Sequence, residues 1–353
     1  METLPFVTDS TLSDASPTRR FAVLGLGRSG MAYAMAASRT EGCALAGFVE
    51  GRASLRAFAR GAGFDVPAAP TLSQLIARTG AHAAVIATPR SERESAIESA
   101  LAAGLAVLVD GLPTPSAEGI DRLASRIADS KVPFACAVPA LFHPLFARAS
   151  RVLGSKEFGK PREIRALVNV SRVFAAGAPP LEGDVLDFAL ADLLVLLDAL
   201  FGPVRSVEAT GNRLYGERLD EMHARIEFAD GLFAGVDGSW SVPGYPCASL
   251  VVHVKGDRGQ EVLVSDDALE TTLASPCGLL PAGHTRRVLA EEPDAITFET
   301  GAAGRALAAF ARVLSGEPLP DELHPAPALR TVRVIDALRR SADASGAREK
   351  VAP

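Results

Sequence analysis

Residues 21–30 read Phe-Ala-Val-Leu-Gly-Leu-Gly-Arg-Ser-Gly, and no other stretch of the chain limits its fold as strongly. Four apolar or small residues run straight into a complete G-x-G-x-x-G spacing, the pattern of a buried strand that turns sharply into a helix. Gly25 permits the tight turn, Gly27 lets the backbone approach a pyrophosphate, and Gly30 lets the helix sit close to the strand. The helix expected from about Ser29 to Ser38 points its free amides and positive dipole end at the phosphates. Arg28 and Ser29 therefore join the three glycines as candidate cofactor-binding residues.

Context strengthens the motif. Residues 44–50, Ala-Leu-Ala-Gly-Phe-Val-Glu, read as a second buried strand, and Glu50 lies 20 residues after Gly30. A dinucleotide fold places its ribose-binding acid at this spacing. A carboxylate there accepts hydrogen bonds from the ribose hydroxyls and repels a 2′-phosphate, which favours NAD. Arg52 leaves NADP open, because a guanidinium two residues on can pair with a phosphate.

The chain of 353 residues is long enough for two domains, and 48% hydrophobic content supplies a sizeable core. A net charge of −6 argues against general affinity for nucleic acid or an anionic membrane. No apolar run reaches the ~20 residues of a bilayer span. Cys43, Cys136, Cys247 and Cys277 show neither metal-ligand nor disulfide spacing, so no metal is expected and a reducing cytoplasm is the simplest location. Arg19 and Arg20 read as solvated residues at a strand's start. A cleaved twin-arginine signal would remove the nucleotide-binding strand itself.

Strands and helices alternate from Arg19 to about Val138, with helices near 52–60, 72–79, 92–103 and 116–130. This predicts a doubly wound parallel Rossmann sheet over residues 19–140, preceded by a loose tail over 1–18. Beyond Pro144, segments Pro161–Val173, Val204–Asn212, Ala224–Phe228, Leu232–Trp240, Ser249–Lys255 and Glu261–Ser265 read as consecutive strands joined by tight turns. The expectation for 141–353 is an α/β domain for substrate binding and oligomerisation, built on a large open, mostly antiparallel sheet. One apolar helix, Val185–Phe201, interrupts the strands. Helices over 302–314 and 326–344 end the chain, the last expected to pack back on the first domain.

Taken in order, these pieces resemble the Gfo/Idh/MocA family of NAD(P)-dependent oxidoreductases. The resemblance runs from Phe21 to about Gly346. It is carried by the glycine turn, Ala87-Thr88-Pro89, Ala100-Leu-Ala-Ala-Gly104, Phe142-His143-Pro144, Phe158-Gly159-Lys160, Gly238-Ser-Trp-Ser-Val-Pro-Gly244 and Val334-Ile-Asp-Ala-Leu338. It implies a Rossmann domain, an α/β domain whose sheet often mediates oligomers, and a small polar substrate such as a sugar or polyol. Thr88 and Pro89 are implied at the cofactor.

The chain departs from the family at its catalytic positions. The family's Glu-Lys-Pro falls on Asp110, Gly111 and Leu112, which keeps an acid and loses the lysine. Its Asp-x-Gly-x-His-x-x-Asp falls on the stretch from Asp187, and neither possible alignment recovers the histidine. Anchored on Asp187, that position is Ala191; anchored backward from Gly202, it is Asp192. Arg93 stands where a histidine often follows Thr-Pro. Asp192, mid-helix among leucines, becomes the candidate proton-handling group, with Asp110 assisting at substrate or nicotinamide. Asp187, His143, Arg172 and Trp240 are candidate substrate contacts, each with a plain structural alternative in capping, core packing or a solvated face. On an ideal helix Asp187 and Asp192 lie about 140° apart and do not share a face. Three functions remain open: an oxidoreductase with altered catalytic residues, a degenerate nucleotide-binding subunit assembling with an active paralogue, and a lyase or isomerase that retains the nucleotide. Losing the lysine and histidine predicts slow oxidation of generic sugars.

Overall fold

The computed structural model describes residues 18–171, 183–245, 248–291 and 298–352. The first unit alternates β1 (Arg19–Leu24), α1 (Arg28–Arg39), β2 (Cys43–Val49), α2 (Ala53–Gly61), β3 (Ala68–Ala69), α3 (Leu72–Ile76), β4 (Ala83–Ile86), α4 (Arg90–Ala102), β5 (Ala106–Asp110), α5 (Ala117–Ser130) and β6 (Phe134–Ala137). Its strands are parallel, in the order β3-β2-β1-β4-β5-β6. The order reverses between β1 and β4, so the loops leaving their carboxyl ends part and open a crevice.

Both faces of this sheet are covered, which is why its strands read as unbroken apolar runs. Alternate residues divide between two cores. Ala22, Leu24, Ala84 and Ile86 face one cluster; Phe21, Val23, Ala83 and Val85 face the other. The first cluster continues without interruption into the second unit, reaching Ile164, Val252 and Val264.

The second unit begins with α6 (Pro144–Leu153) and β7 (Pro161–Asn169). A π-helical turn, Leu186–Leu190, leads into α7 (Ala191–Phe201), followed by β8 (Val204–Asn212), β9 (Glu221–Phe228), β10 (Phe233–Ser239), β11 (Ser249–Gly256), β12 (Glu261–Ser265), β13 (Ala268–Leu273) and β14 (Gly283–Val288). Helices α8 (Phe298–Val313) and α9 (Pro325–Asp343) and the short β15 (Glu349–Lys350) close the chain. Nine strands form one sheet, β14-β13-β12-β11-β7-β10-β9-β8-β15. Only the β7–β10 pair is parallel, so the sheet is the open, mostly antiparallel one expected.

Several details differ from the sequence expectation. The β7 strand stops at Asn169 rather than Val173, with Ser171 bridging Ser241. α6, β13, β14 and the short strands β3 and β15 are additional to the sequence expectation, although α6 does carry an apolar stripe of Leu145, Phe146, Ala149, Val152 and Leu153. Helix α8 lies against α1, and its Ala303, Ala306, Leu307 and Phe310 complete the core beneath β1 and β4. Helix α9 packs mainly on β8 and α7. It reaches the first unit through Asp336, which accepts from Ala117 N at 2.9 Å, and through an Arg333–Asp121 ion pair at 3.2 Å.

Candidate active site

The glycine turn sits at the carboxyl end of β1. Gly25 has φ +92°, and a Cβ there would stand 2.6 Å from Ala87 O; one on Gly30 would stand 2.0 Å from Gly25 O. Both positions are closed to any side chain by backbone. Gly27 differs: nothing lies within 4 Å of its Cβ direction. Gly27, Arg28 and Ser29 are exposed, while residues 21–26 and Gly30 are buried. No side chain caps the N-terminus of α1. The turn thus presents bare backbone and a helix dipole to an open cleft, as a pyrophosphate requires.

Glu50 ends β2 beside this turn and is only 7% exposed. Leu26 N–H donates to its Oε2 at 3.1 Å, and Arg52 grips both oxygens, Nε to Oε1 at 2.8 Å and Nη2 to Oε2 at 3.1 Å. Burial pushes the Glu50 carboxyl up, but the Arg52 and Leu26 bonds outweigh it and hold the group below its ordinary range. Across the crevice, Pro89 is the residue before α4, and the buried Thr88 hydroxyl has no hydrogen-bond partner among the described residues. An orphaned hydroxyl and an uncapped helix facing one cleft fit a bound dinucleotide.

The cleft continues into a cavity of about 230 Å³ whose wall includes Ser29 of the glycine turn. Asp110, at the carboxyl end of β5, receives hydrogen bonds from the Ser29 and Tyr33 hydroxyls of α1. Burial raises its pKa, against the pull of the nearby Arg93 and of those two donors. The Tyr33 phenol is raised well above its ordinary value by burial and by Asp110, so it stays a donor. Arg93 reaches in from α4, its Nε donating to Thr88 O at 3.0 Å and its Nη1 to Leu112 O at 2.7 Å.

Gly111 lies between these groups with φ +78°. A Cβ on it would stand 3.4 Å from Arg93 Nη1 and 3.9 Å from Asp192 Oδ1. The guanidinium and the Asp192 carboxylate therefore occupy the space over the residue that aligns with the family's lysine. Asp192 is pushed up to about 6 by burial and by Asp110, against Arg93 and Arg90.

Asp187 lines the same cavity as Asp192, although an ideal helix sets them about 140° apart with no shared face. The π turn at 186–190 is the reason. Its bonds close i→i+5, so residues five apart come round to the same side. Arg90 Nη1 donates to Asp187 Oδ1 at 2.5 Å, and Arg339 Nη2 to Oδ2 at 2.6 Å; Arg339 also binds Asp184 at 3.1 Å.

The structure does not bring every candidate to the wall. His143 is 1% exposed, precedes α6 and packs edge-on to Phe146. Trp240 is 1% exposed and donates to Asp220 Oδ1 at 2.8 Å; it stands behind Phe188, which does line the cavity. Arg172 lies outside the described residues. Tyr33, Arg90 and Arg339 were not anticipated. Tyr33 hides in the alanine-rich run of α1, and Arg339 is 152 positions in sequence from Asp187, the residue it binds. Only the charged residues directly after Thr-Pro offered a signal. Among the described residues, no group of three or more His, Cys, Asp or Glu could hold a metal, and no helix is long and apolar enough to cross a membrane.

A parallel sheet of order 3-2-1-4-5-6 with a bare glycine turn and an acid after β2 defines a dinucleotide-binding oxidoreductase-type fold. Residues 19–137 match the GFO_IDH_MocA family, described as an oxidoreductase family with an NAD-binding Rossmann fold. Over those residues the chain thus resembles the NAD-binding domain of that family, whose cofactor is NAD. No curated protein matches the chain in sequence. Solved structures resemble it over nearly their whole length. An oxidoreductase from Agrobacterium radiobacter, in complex with NAD+, L-tartaric acid and magnesium, is 17% identical with a TM-score of 0.81, covering 95% of this chain and 98% of that one. Levoglucosan dehydrogenase with NADH and levoglucosan has the same identity and TM-score, covering 95% and 100%. The WlbA dehydrogenase from Bordetella pertussis, with NADH and UDP-GlcNAcA, is 18% identical with a TM-score of 0.79, covering 96% and 99%. At these identities the likeness is one of fold.

Proposed function

We propose that the protein is an NAD-dependent oxidoreductase of a small, polar, hydroxylated substrate, with Asp192 as the group that takes or returns the hydroxyl proton. The observation that carries this reading is the convergence of Asp110, Asp192 and Arg93 over Gly111, in a cavity that opens beside the glycine turn. Bound NAD supplies hydride chemistry. The side chains do the rest. Gly27 and the α1 N-terminus hold the pyrophosphate, Glu50 the adenine ribose, and Thr88 the chain of the cofactor between them. Asp110, fixed by Ser29 and Tyr33, and Arg93, fixed by two backbone carbonyls, orient the substrate. With the cofactor bound, Asp192 would take the substrate's hydroxyl proton in oxidation and return it in reduction. Asp187, clamped by Arg90 and Arg339, forms the far wall.

The relatives with tartaric acid, levoglucosan and a uronic-acid nucleotide support a polyhydroxylated substrate class. Free Cys43, Cys136 and Cys277 accord with work in the cytoplasm. The test is a panel of sugars, polyols and hydroxy acids followed by NADH absorbance, with NADH affinity measured in parallel. Asp192→Asn is expected to bind NADH like the wild type and to lose about 10²–10⁴-fold in turnover. Unchanged turnover in that variant would remove Asp192 from the mechanism. Cofactor binding with no turnover of any candidate would favour the degenerate-subunit alternative.

A further inference from the structure

Among the described residues, the carboxylates around the cavity outnumber the guanidinium groups. On the far wall, Arg90 and Arg339 bind Asp184 and Asp187 at 2.5–3.1 Å, and a third carboxylate, Asp336, stands 3.7 Å from Arg339. On the near wall, the charge of Arg93 from α4 acts on both Asp110 from β5 and Asp192 from α7, and Arg90, already bonded to Asp187, acts on Asp192 as well. The other titratable groups that face them add no charge. Burial keeps the Tyr33 phenol of α1 protonated, and it pushes the Cys136 thiol of β6 up to about 12. Among its described side chains, helix α8 contributes Ala302, Ala303 and Ala306 to the wall. With Arg90 already bonded to Asp187, two carboxylates beside Arg93 in a desolvated cleft leave negative charge unmatched among the described residues, and such a pair relieves it by retaining a proton.

Ser29 belongs both to the glycine turn and to this wall, and its hydroxyl holds Asp110. A dinucleotide lying on the turn therefore extends toward the pair. We propose that the Asp110–Asp192 pair gives up its proton when the oxidised cofactor binds and keeps it when the reduced cofactor binds, so that the cofactor's own charge readies Asp192 as a base. The inference rests on the function proposed above. Its physical basis is simple. The oxidised nicotinamide is a cation and supplies the missing positive charge, whereas the reduced ring is neutral and supplies none. The proton released passes to solvent before any substrate reacts. The vacated carboxylate then accepts the hydroxyl proton as the hydride leaves the same carbon, and once the ring is neutral again the pair holds that proton.

NAD+ and NADH share every contact except that ring charge, so comparing them isolates the effect. Calorimetric titration of the whole protein near pH 6, in two buffers of different ionisation heat, should show NAD+ binding releasing up to about one proton and NADH binding releasing almost none. Between pH 7 and 5 the NAD+ affinity should weaken by up to about tenfold per pH unit, while NADH changes by less than about twofold. Asp192→Asn should remove the difference between the two cofactors. Equal proton release and parallel pH dependence for both would overturn the coupling and leave the dinucleotide site standing. Failure of both cofactors to bind would overturn the coupling together with the proposed function.

Discussion

The three glycines of the turn have different physical duties, and substitution separates them. Gly27 has φ −71° and open space at its Cβ, so valine there meets no steric bar in the protein. Gly27→Val should melt within about 2 °C of wild type, yet lose at least about tenfold in NADH affinity, because the added methyls stand where the pyrophosphate must approach. Gly30→Ala should do the reverse first. Its Cβ would strike Gly25 O, and overpacking of that kind costs about 1–3 kcal/mol, readable in urea denaturation. The same scale holds the pH dependence of the chemistry. Asp192 titrates at about 6, raised by burial and Asp110. Oxidation needs its carboxylate, so its rate should rise with pH and level off, with the midpoint below about 6 because the oxidised cofactor's charge favours the carboxylate; reduction needs its acid, so that rate should fall with pH through about 6. A pH–rate profile in both directions checks the opposite signs.

At the scale of elements, the π turn and helix α9 do what no single side chain can. The π turn rotates Asp187 onto the face of Asp192, and α9 then ties the whole segment down. Arg339 of α9 holds Asp184 and Asp187, while Arg330 holds Asp198 on α7 with Nη2 to Oδ1 at 2.8 Å. The Asp198 side chain is 1% exposed, and burial raises its pKa against the pull of Arg330. Arg330→Ala strands that carboxylate. It should cost roughly 3 kcal/mol near neutral pH, the low end for unpairing a buried ion, since Arg330 is itself partly exposed. The sign with pH follows. A carboxyl whose folded pKa is raised binds its proton more readily when folded, so the penalty shrinks as pH falls through that raised value. Denaturant melts of variant and wild type at acid and neutral pH measure the difference.

For the whole molecule, one face of the nine-stranded sheet packs into the core. Ile164, Ala166, Val168, Val252 and Val254 point inward, while Leu167 and Leu263 are 37% and 36% exposed on the other side. Leu167 pairs with Val251, and Leu263 with His253, so the apolar residues sit among charged neighbours such as Arg165 and Glu261. We propose that this face joins copies of the chain, as its breadth and mixed apolar and ionic surface suit a self-complementary contact. Sedimentation at micromolar concentration should give an oligomer of the 36.8 kDa chain, and Leu167→Asp with Leu263→Asp should shift it toward monomer. A wild type that sediments as a monomer throughout that range would refute the proposal.

The sequence alone determined the parts of this protein that depend on neighbours in the chain. The glycine spacing marked the turn, the apolar runs marked the parallel strands, and Glu50, Asp110 and Asp192 stood out as acids at strand ends or in an apolar helix. Each of these is a local pattern, since a turn, a buried strand and a desolvated carboxylate are legible within about 20 residues. Tertiary structure decided what those patterns enclose. It set the Arg93 guanidinium over Gly111 and the Tyr33 hydroxyl on Asp110. It brought Arg339 to Asp187 and laid α8 on α1. It also inserted the π turn that an ideal periodicity of 3.6 residues misplaces by more than a third of a turn. These arrangements arise from packing between segments far apart in the chain, and packing energy depends on shape and volume summed over many neighbours, which leaves no periodic trace in the order of residues.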